Sequence, residues 1–277
     1  MKRITISDLL NFDINTVENT IKEFIREIIE NSGAKGVVIG LSGGVDSSTA
    51  AALAVKALGN NRVHGLIMPD PRTTPEADVK DAIDLAKKLG INYTIIDISK
   101  IYDSFAENIP FFNADHNIAC GNLRARIRMI LLYYYANLNN YLVLGSGDRS
   151  EILIGYFTKY GDGATDLMPL GCLYKTQVRH LAKYLGIPEK IYNKPSSPRL
   201  WPGHMAEEEL GMKYTEIDLV LYSLFDLGLK PEEIPEATGI SIEKVQKIIE
   251  LHRKSRHKRG TPPIPSLPNV PEPIKEL

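Results

Sequence analysis

Nine residues, Gly40-Leu41-Ser42-Gly43-Gly44-Val45-Asp46-Ser47-Ser48, stand between an apolar run and an alanine-rich stretch. Glycines there let backbone N–H groups turn inward and approach an anion closely. The start of a helix adds free N–H groups and a partial positive charge. Ser42, Ser47 and Ser48 supply hydroxyl donors, and together these groups compose a cradle for phosphate oxygens. It is not the Walker loop, because GxxxxGK[ST] is absent and no lysine follows the glycines. Instead Asp46 lies inside the anion-binding turn, where a carboxylate repels phosphate unless a cation lies between them; this predicts a bound Mg²⁺. The plainer reading is a strand–helix turn with Asp46 and Ser47 as capping residues.

Three further blocks carry candidate chemistry. Residues 121–129 hold Arg124, Arg126 and Arg128. On a helix Arg124 and Arg128 share a face while Arg126 points elsewhere, so at least one could turn inward, although a solvated basic face is the ordinary reading of any one taken alone. The second block, 144–151, follows an apolar run, and ligands in open α/β sheets sit beyond the C-terminal ends of strands. Glu151 there either completes a metal site with Asp46 or is a carboxylate favoured by a helix N-terminus. The third, GYFTKYGDGATDLMPL over 155–170, combines three glycines, two carboxylates, Lys159 and aromatic rings. Such a loop suits a polar ligand with a flat ring.

The elements that must hold these blocks follow from periodicity. Helical spacing covers 14–30, then about 45–58, 73–89, 117–136 and 175–185, with short helices over 219–228, 231–238 and 242–253. Short apolar runs at 36–41, 62–68, 92–98 and 141–146 read as buried strands. Strands alternating with helices imply βαβ crossovers. The expected fold is α/β, a doubly wound, Rossmann-like parallel sheet with helices on both faces. At 277 residues the chain fits one domain over 1–259, with 1–35 an N-terminal helix and 229–259 a C-terminal helical part. Six prolines in 260–277 mark a tail.

Composition excludes several classes. The net charge of −1 argues against a surface that tracks a phosphate backbone, though not against one local phosphate site. Cys120 and Cys172 form no CxxC pair, and the six histidines show no zinc-ligand spacing. No signal peptide or membrane span is legible, so the expected location is cytoplasmic, with no membrane partner.

SGGVDSS resembles the loop of the PP-loop ATP pyrophosphatase superfamily, whose members cleave ATP between the α- and β-phosphates. GNLRARIRM, LGSGDRSE, FTKYGDGATDLMPL and the late His257-Lys258-Arg259, in that order, resemble the NAD synthetase family over about residues 14–260. The resemblance implies an adenine nucleotide alpha hydrolase-like fold. It also implies ATP-dependent amidation of deamido-NAD through an adenylated carboxylate, giving NAD, AMP and pyrophosphate, the last step of NAD biosynthesis. Carried over, Gly40, Leu41, Ser42, Gly43, Gly44, Val45, Asp46 and Ser47 would hold ATP, joined by Ser146 (where the family often has Thr), Lys175 and Ser197. Ser196 is an alternative to Ser197. Asp46 and Glu151 would bind Mg²⁺, and with Lys175 they form the implied catalytic set. Arg126, Lys159, Asp166, His257 and Lys258 would recognise deamido-NAD, and Asp166 is a candidate proton acceptor by position. The stretch 196–212 would be a lid.

Glutamine-dependent members of that family carry an additional N-terminal amidase domain. Only about 35 residues precede the first strand here, so ammonia is the expected nitrogen source. The family's usual homodimer, with its dinucleotide site near the interface, is expected too. Tyr133-Tyr134-Tyr135 serves either that interface or the core. Two alternatives compete. A tRNA-modifying PP-loop enzyme would use Cys120 and Cys172 as a sulfur-transfer pair. A helix-turn-helix around Gly239, followed by HRKSRHKR, would bind DNA. Near-neutral charge weighs against nucleic acid, and the basic run instead caps an anionic dinucleotide.

Overall fold

The apolar runs over 36–40 and 63–67 fold as strands buried on both faces, whereas 92–95, expected to be buried, is an edge strand with Asn92, Thr94 and Ile95 exposed. In the computed structural model, which describes residues 3–265, β1 (Gly36–Gly40), β2 (Val63–Ile67), β3 (Asn92–Ile95) and β4 (Tyr141–Val143) form one parallel sheet in the order β3-β2-β1-β4. Val37 stands opposite Val63 on one side and Leu142 on the other. Alternate side chains leave a strand on opposite faces. Val37 and Ile39 accordingly join one core and Val38 joins another.

On the first face lie α2 (Ile14–Ser32), α3 (Val45–Leu58), α4 (Glu76–Leu89) and α8 (Lys175–Tyr184). They contribute Ile21, Ile25, Ile29, Leu53, Leu85 and Leu181 to the core. Alanines at 50, 51, 52 and 54 are all buried, and their small side chains let α3 lie between its neighbours, a helix apolar all round because it is covered all round. The opposite face is covered by α5 (Ser99–Asn108) and α6 (Asn117–Asn139), through Tyr102, Ile127 and Ala136. A third cluster is helical. It joins α1 (Ile6–Leu9), α7 (Arg149–Ile154), α10 (Ala206–Leu210), α11 (Tyr214–Phe225), α12 (Ile234–Thr238) and α13 (Ile242–Lys254), with Ile217, Leu221, Ile234 and Ile248 fully buried. A short α9 (Glu189–Tyr192) follows α8.

The helix expected over 219–228 is instead α11, beginning at Tyr214, because Tyr214, Ile217, Val220 and Leu221 face the third cluster together. Residues 1–35 contain two helices, of which α1 packs Leu9 on the C-terminal helices. β4 is shorter than expected. Leu144 N still donates to the Val38 carbonyl of β1 at 2.9 Å, while on the outer edge Val143 N donates to Asp166 Oδ2 at 2.7 Å and Leu144 forms a single bridge to Leu167. That closes an edge the sheet would otherwise leave open. Residues 261–265 have no regular structure, and the rest of the expected tail lies outside the described residues. Among the described residues no helix is long and apolar enough to cross a membrane.

Candidate active site

The glycine-rich turn leaves β1 beside β4, where the strand order reverses, which is where doubly wound folds bind ligands. Gly43 has φ +73°, and a Cβ there would stand 2.2 Å from the Asp78 carbonyl oxygen. No other residue type fits that position. Gly44, not Asp46 or Ser47, is the N-cap of α3. Ser42 and Ser47 share a hydroxyl hydrogen bond of 3.0 Å, Ser42 N donates to Ser47 Oγ at 3.2 Å, and Ser48 Oγ donates to the Gly44 carbonyl at 2.7 Å. The serines thus set the turn while its backbone faces the cleft.

Asp46, released from capping, points to Lys175. The Lys175 ammonium, fully buried, lies 2.7 Å from Asp46 Oδ2, 2.8 Å from Asp148 Oδ2 and 2.8 Å from Glu151 Oε1. Asp148 and Glu151 cap α7 reciprocally, with Glu151 N donating to Asp148 Oδ1 at 2.9 Å. Burial pushes the Glu151 and Asp148 carboxyls up, against the pull of Lys175. Burial alone would lower Lys175, but the three carboxylates outweigh it and hold the ammonium well above its ordinary range.

One ammonium among three carboxylates leaves excess negative charge. One oxygen from each of Asp46, Asp148 and Glu151 lies within 4.8 Å of the others, and Asp46 Oδ1 is buried with no hydrogen-bond partner among the described residues. These are hard oxygen donors of the kind Mg²⁺ takes, so the residues fit a divalent cation. The cluster is braced from behind by Asp218. Its carboxylate, raised by burial to about 7, accepts from Ser150 Oγ at 2.5 Å and from Thr176 N and Oγ1 at 2.7 and 2.6 Å.

A cavity of about 450 Å³ opens in front of the turn. Gly40, Leu41, Ser42, Gly44, Val45, Asp46, Ser146, Glu151, Ser197 and Lys258 line it, as does Ser196. Lys175 sits beneath that wall. Ser197 uses its hydroxyl within its own loop, donating to the His204 carbonyl, and Ser196 Oγ accepts from Arg179 at 3.0 Å. Lys258 reaches in from the C-terminal basic run and donates to the carbonyls of Gly155 and Phe157, both at 2.7 Å. His257 is exposed beside it.

Arg126, Lys159 and Asp166 do not line this cavity. Arg126 is exposed and donates to the Lys159 carbonyl at 3.2 Å, and Asp166 accepts from Tyr133 at 3.1 Å. Arg124 and Arg128 depart from the expected solvated face. Arg124 is buried against Asp70, with Nε 2.8 Å from Oδ2. Arg128 lines the cavity, anchored by Nε on the Met68 carbonyl at 2.9 Å, and burial lowers it to about 10. Of the three tyrosines, Tyr135 stacks on His64, Tyr133 turns to Asp166, and Tyr134 stays 69% exposed.

Sequence reasoning missed Asp148, Arg128 and Lys194, and also Tyr214, which lines the cavity with the Lys175 ammonium 5.1 Å from its ring centroid. Asp148 had a signal, the D-x-x-E capping box with Glu151. Lys194 had none: it bonds the Gly43 carbonyl (2.9 Å) and the carboxylates of Asp78 (2.8 Å) and Asp81 (2.6 Å), positions far apart along the chain.

Against known proteins, the sequence profile of the family described as NAD synthase matches residues 17–262. The chain belongs to the NAD synthase family. A curated relative from Staphylothermus marinus, "NH(3)-dependent NAD(+) synthetase", is 61% identical over 99% of both chains. Among solved structures, an NMN synthetase from Francisella tularensis superposes with a TM-score of 0.81 at 35% identity, over 93% of this chain and 100% of that one. An NH3-dependent NAD synthetase from Campylobacter jejuni gives 0.78 at 34% identity, over 92% and 100%. The tRNA-modifying alternative is not favoured by these NAD synthase relatives, and the fold is the family's parallel α/β architecture.

Proposed function

We propose that this NAD synthase family member amidates deamido-NAD with ammonia, cleaving ATP to AMP and pyrophosphate. The observation that carries the reading is the phosphate-cradling turn set directly against the Asp46–Asp148–Glu151 cluster and its buried Lys175. The nicotinate carboxylate is anionic and a poor electrophile. Attack of its oxygen on the ATP α-phosphorus expels pyrophosphate and creates a mixed anhydride, from which ammonia displaces AMP.

The backbone from Gly40 to Ser47 would hold the phosphates, with Lys175 supplying fixed positive charge below and Ser146 at the rim. Asp46 and Glu151, with Asp148, would hold Mg²⁺, which when bound offsets phosphate charge and makes the α-phosphorus more electrophilic. Positioning and charge, rather than covalent work, is what these residues offer the reaction. Ser197 would approach ATP as a wall residue, since its hydroxyl serves its own loop. Arg126, Lys159, Asp166, His257 and Lys258 would take deamido-NAD, and the stretch 196–212 would be the lid. Residues 1–259 would act as one cytoplasmic synthetase unit.

The expected homodimer is supported by α6. Ile130, Tyr134 and Leu138, spaced i, i+4 and i+8, are 50%, 69% and 71% exposed, a contiguous apolar stripe of the kind a partner covers. Arg126, one of the expected dinucleotide residues, lies one turn before it. Light scattering should give a dimer for the native chain and a monomer for Tyr134→Asp with Leu138→Asp.

A second acceptor is favoured by the Francisella neighbour, whose product is the mononucleotide. Supplying deamido-NAD and nicotinic acid mononucleotide in competition distinguishes them. Preferential NAD formation supports the dinucleotide reading, and preferential amidation of the mononucleotide overturns it.

A further inference from the structure

A polar clasp in the cavity wall ties the 196–212 stretch to the residue that follows Gly155. His204, 3% exposed, sets Nε2 at 2.7 Å from Glu209 Oε2 and 3.2 Å from the Tyr156 hydroxyl oxygen. The Tyr156 hydroxyl donates to the same Glu209 oxygen at 2.6 Å. A carboxylate only accepts, so this arrangement assigns a proton to His204 Nε2. Burial, then Glu209, pushes the Tyr156 phenol far up, and it remains a donor. Trp201 stacks on His204 with ring centroids 3.4 Å apart and planes 13° from parallel.

The clasp joins three parts of the chain. Tyr156 follows α7, five residues after Glu151, Glu209 belongs to α10, and His204 ends the loop that carries Ser196 and Ser197. The same loop is pinned by Arg124, which donates to the Leu200 carbonyl at 3.2 Å, and by Arg199, whose Nε meets Asp78 Oδ2 at 2.8 Å. Ile118, Trp201 and Glu209 line the cavity and also a second, more open depression beside Asn113, Asp115 and His116. These three residues are the wall that the two share.

We propose that Tyr156, Glu209 and His204 are positioning residues that keep this shared wall shut while the acyl-adenylate stands, limiting the access of bulk water. The inference rests on the synthetase reading. When water enters, its oxygen bonds to the activated carbonyl carbon and the carbon–oxygen bond to AMP breaks. AMP leaves with the electron pair, the carboxylate is regenerated and protons go to solvent. Each such leak releases AMP without NAD, whereas each amidation releases one of each.

The test is the ratio of AMP to NAD formed from ATP, Mg²⁺, ammonium and deamido-NAD. The native chain should give a ratio near one. Tyr156→Phe and Glu209→Gln, each loosening a hydrogen bond of the clasp, should raise leakage roughly fivefold. Their double variant should leak no more than the worse single, as members of one network do. His204→Gln, which keeps a donor toward Glu209, should restore a ratio that His204→Ala raises. A merely structural role would lower AMP and NAD formation in parallel. A ratio that stays near one in folded Tyr156→Phe and Glu209→Gln, verified by thermal unfolding, overturns the clasp. Failure of the native chain to form NAD overturns the synthetase reading instead.

Discussion

Lys175→Met replaces the ammonium by a side chain of similar length and removes the only positive charge in contact with Asp46, Asp148 and Glu151 among the described residues. At contact distances of 2.7–2.8 Å, each pair has a gross attraction of about 6 kcal/mol at an effective dielectric constant of 20. Most of this offsets the cost of burying the charges. Removing one partner of a buried ion cluster has a net cost of about 3–5 kcal/mol. For a chain of this size that lowers Tm by roughly 6–20 °C.

The loss depends on pH, with a definite sign. Without Lys175 the carboxyls of Asp148 and Glu151, already raised by burial, rise further in the folded state. The folded variant then binds more protons than the unfolded chain, and its stability recovers as pH falls below those raised values toward the unfolded carboxyl range. Lys175 itself, raised above its ordinary 10.5, contributes stability that is fully present below 10.5, so its own titration does not confuse neutral readings. Thermal unfolding of both proteins at pH 7.5 and pH 5.5 checks this, with the smaller Tm gap expected at the lower pH. Equal Tm values at pH 7.5, or a gap that widens on acidification, would refute the reasoning.

Gly43→Ala should cost about 1–3 kcal/mol and most of the activity, because the added methyl meets the Asp78 carbonyl from a left-handed backbone; thermal unfolding and NAD formation measure it. Asp70→Asn removes the carboxylate shared by buried Arg124 and Arg72, and urea unfolding should show a loss of about 3–5 kcal/mol. Burial raises the Asp70 pKa, but hydrogen bonds from Arg72 and Arg124 outweigh it and lower it below 3.8. Its stabilisation is therefore fully present above 3.8 and lost as pH falls through the lower folded value, so native and variant curves should converge in acid. Replacing Cys120 and Cys172 together by alanine should leave turnover within about twofold, since the Cys120 thiol turns to the Asn113 carbonyl and the Cys172 thiol to the Pro169 carbonyl and surface or small-to-small changes act weakly.

The strands, their order of appearance and the phosphate turn were legible because each is local: a short two-sided apolar run, then glycines and serines at fixed spacing. Asp46 and Glu151 were legible as a pair because both follow strand ends of one parallel sheet. Asp148 was hidden in the block 144–151 beside Glu151, since a D-x-x-E box reads as a helix cap; full burial turns it into a third carboxylate around Lys175. Helical spacing separated Arg124 and Arg128 from Arg126 but did not say which face turns inward. Only the register of α6 on the sheet sends Arg128 inward while Arg126 stays out. The clasp of Tyr156, His204 and Glu209 spans more than fifty residues and depends on how a loop without regular structure folds back, which no periodicity encodes.

The central claim is tested most directly by the products formed from ATP, Mg²⁺ and deamido-NAD with either ammonium or glutamine. Ammonium should yield NAD, AMP and pyrophosphate in equal amounts, with no AMP when deamido-NAD is withheld and no appreciable NAD from glutamine alone. ADP and phosphate as products, or NAD formed efficiently from glutamine by the purified chain, would contradict it.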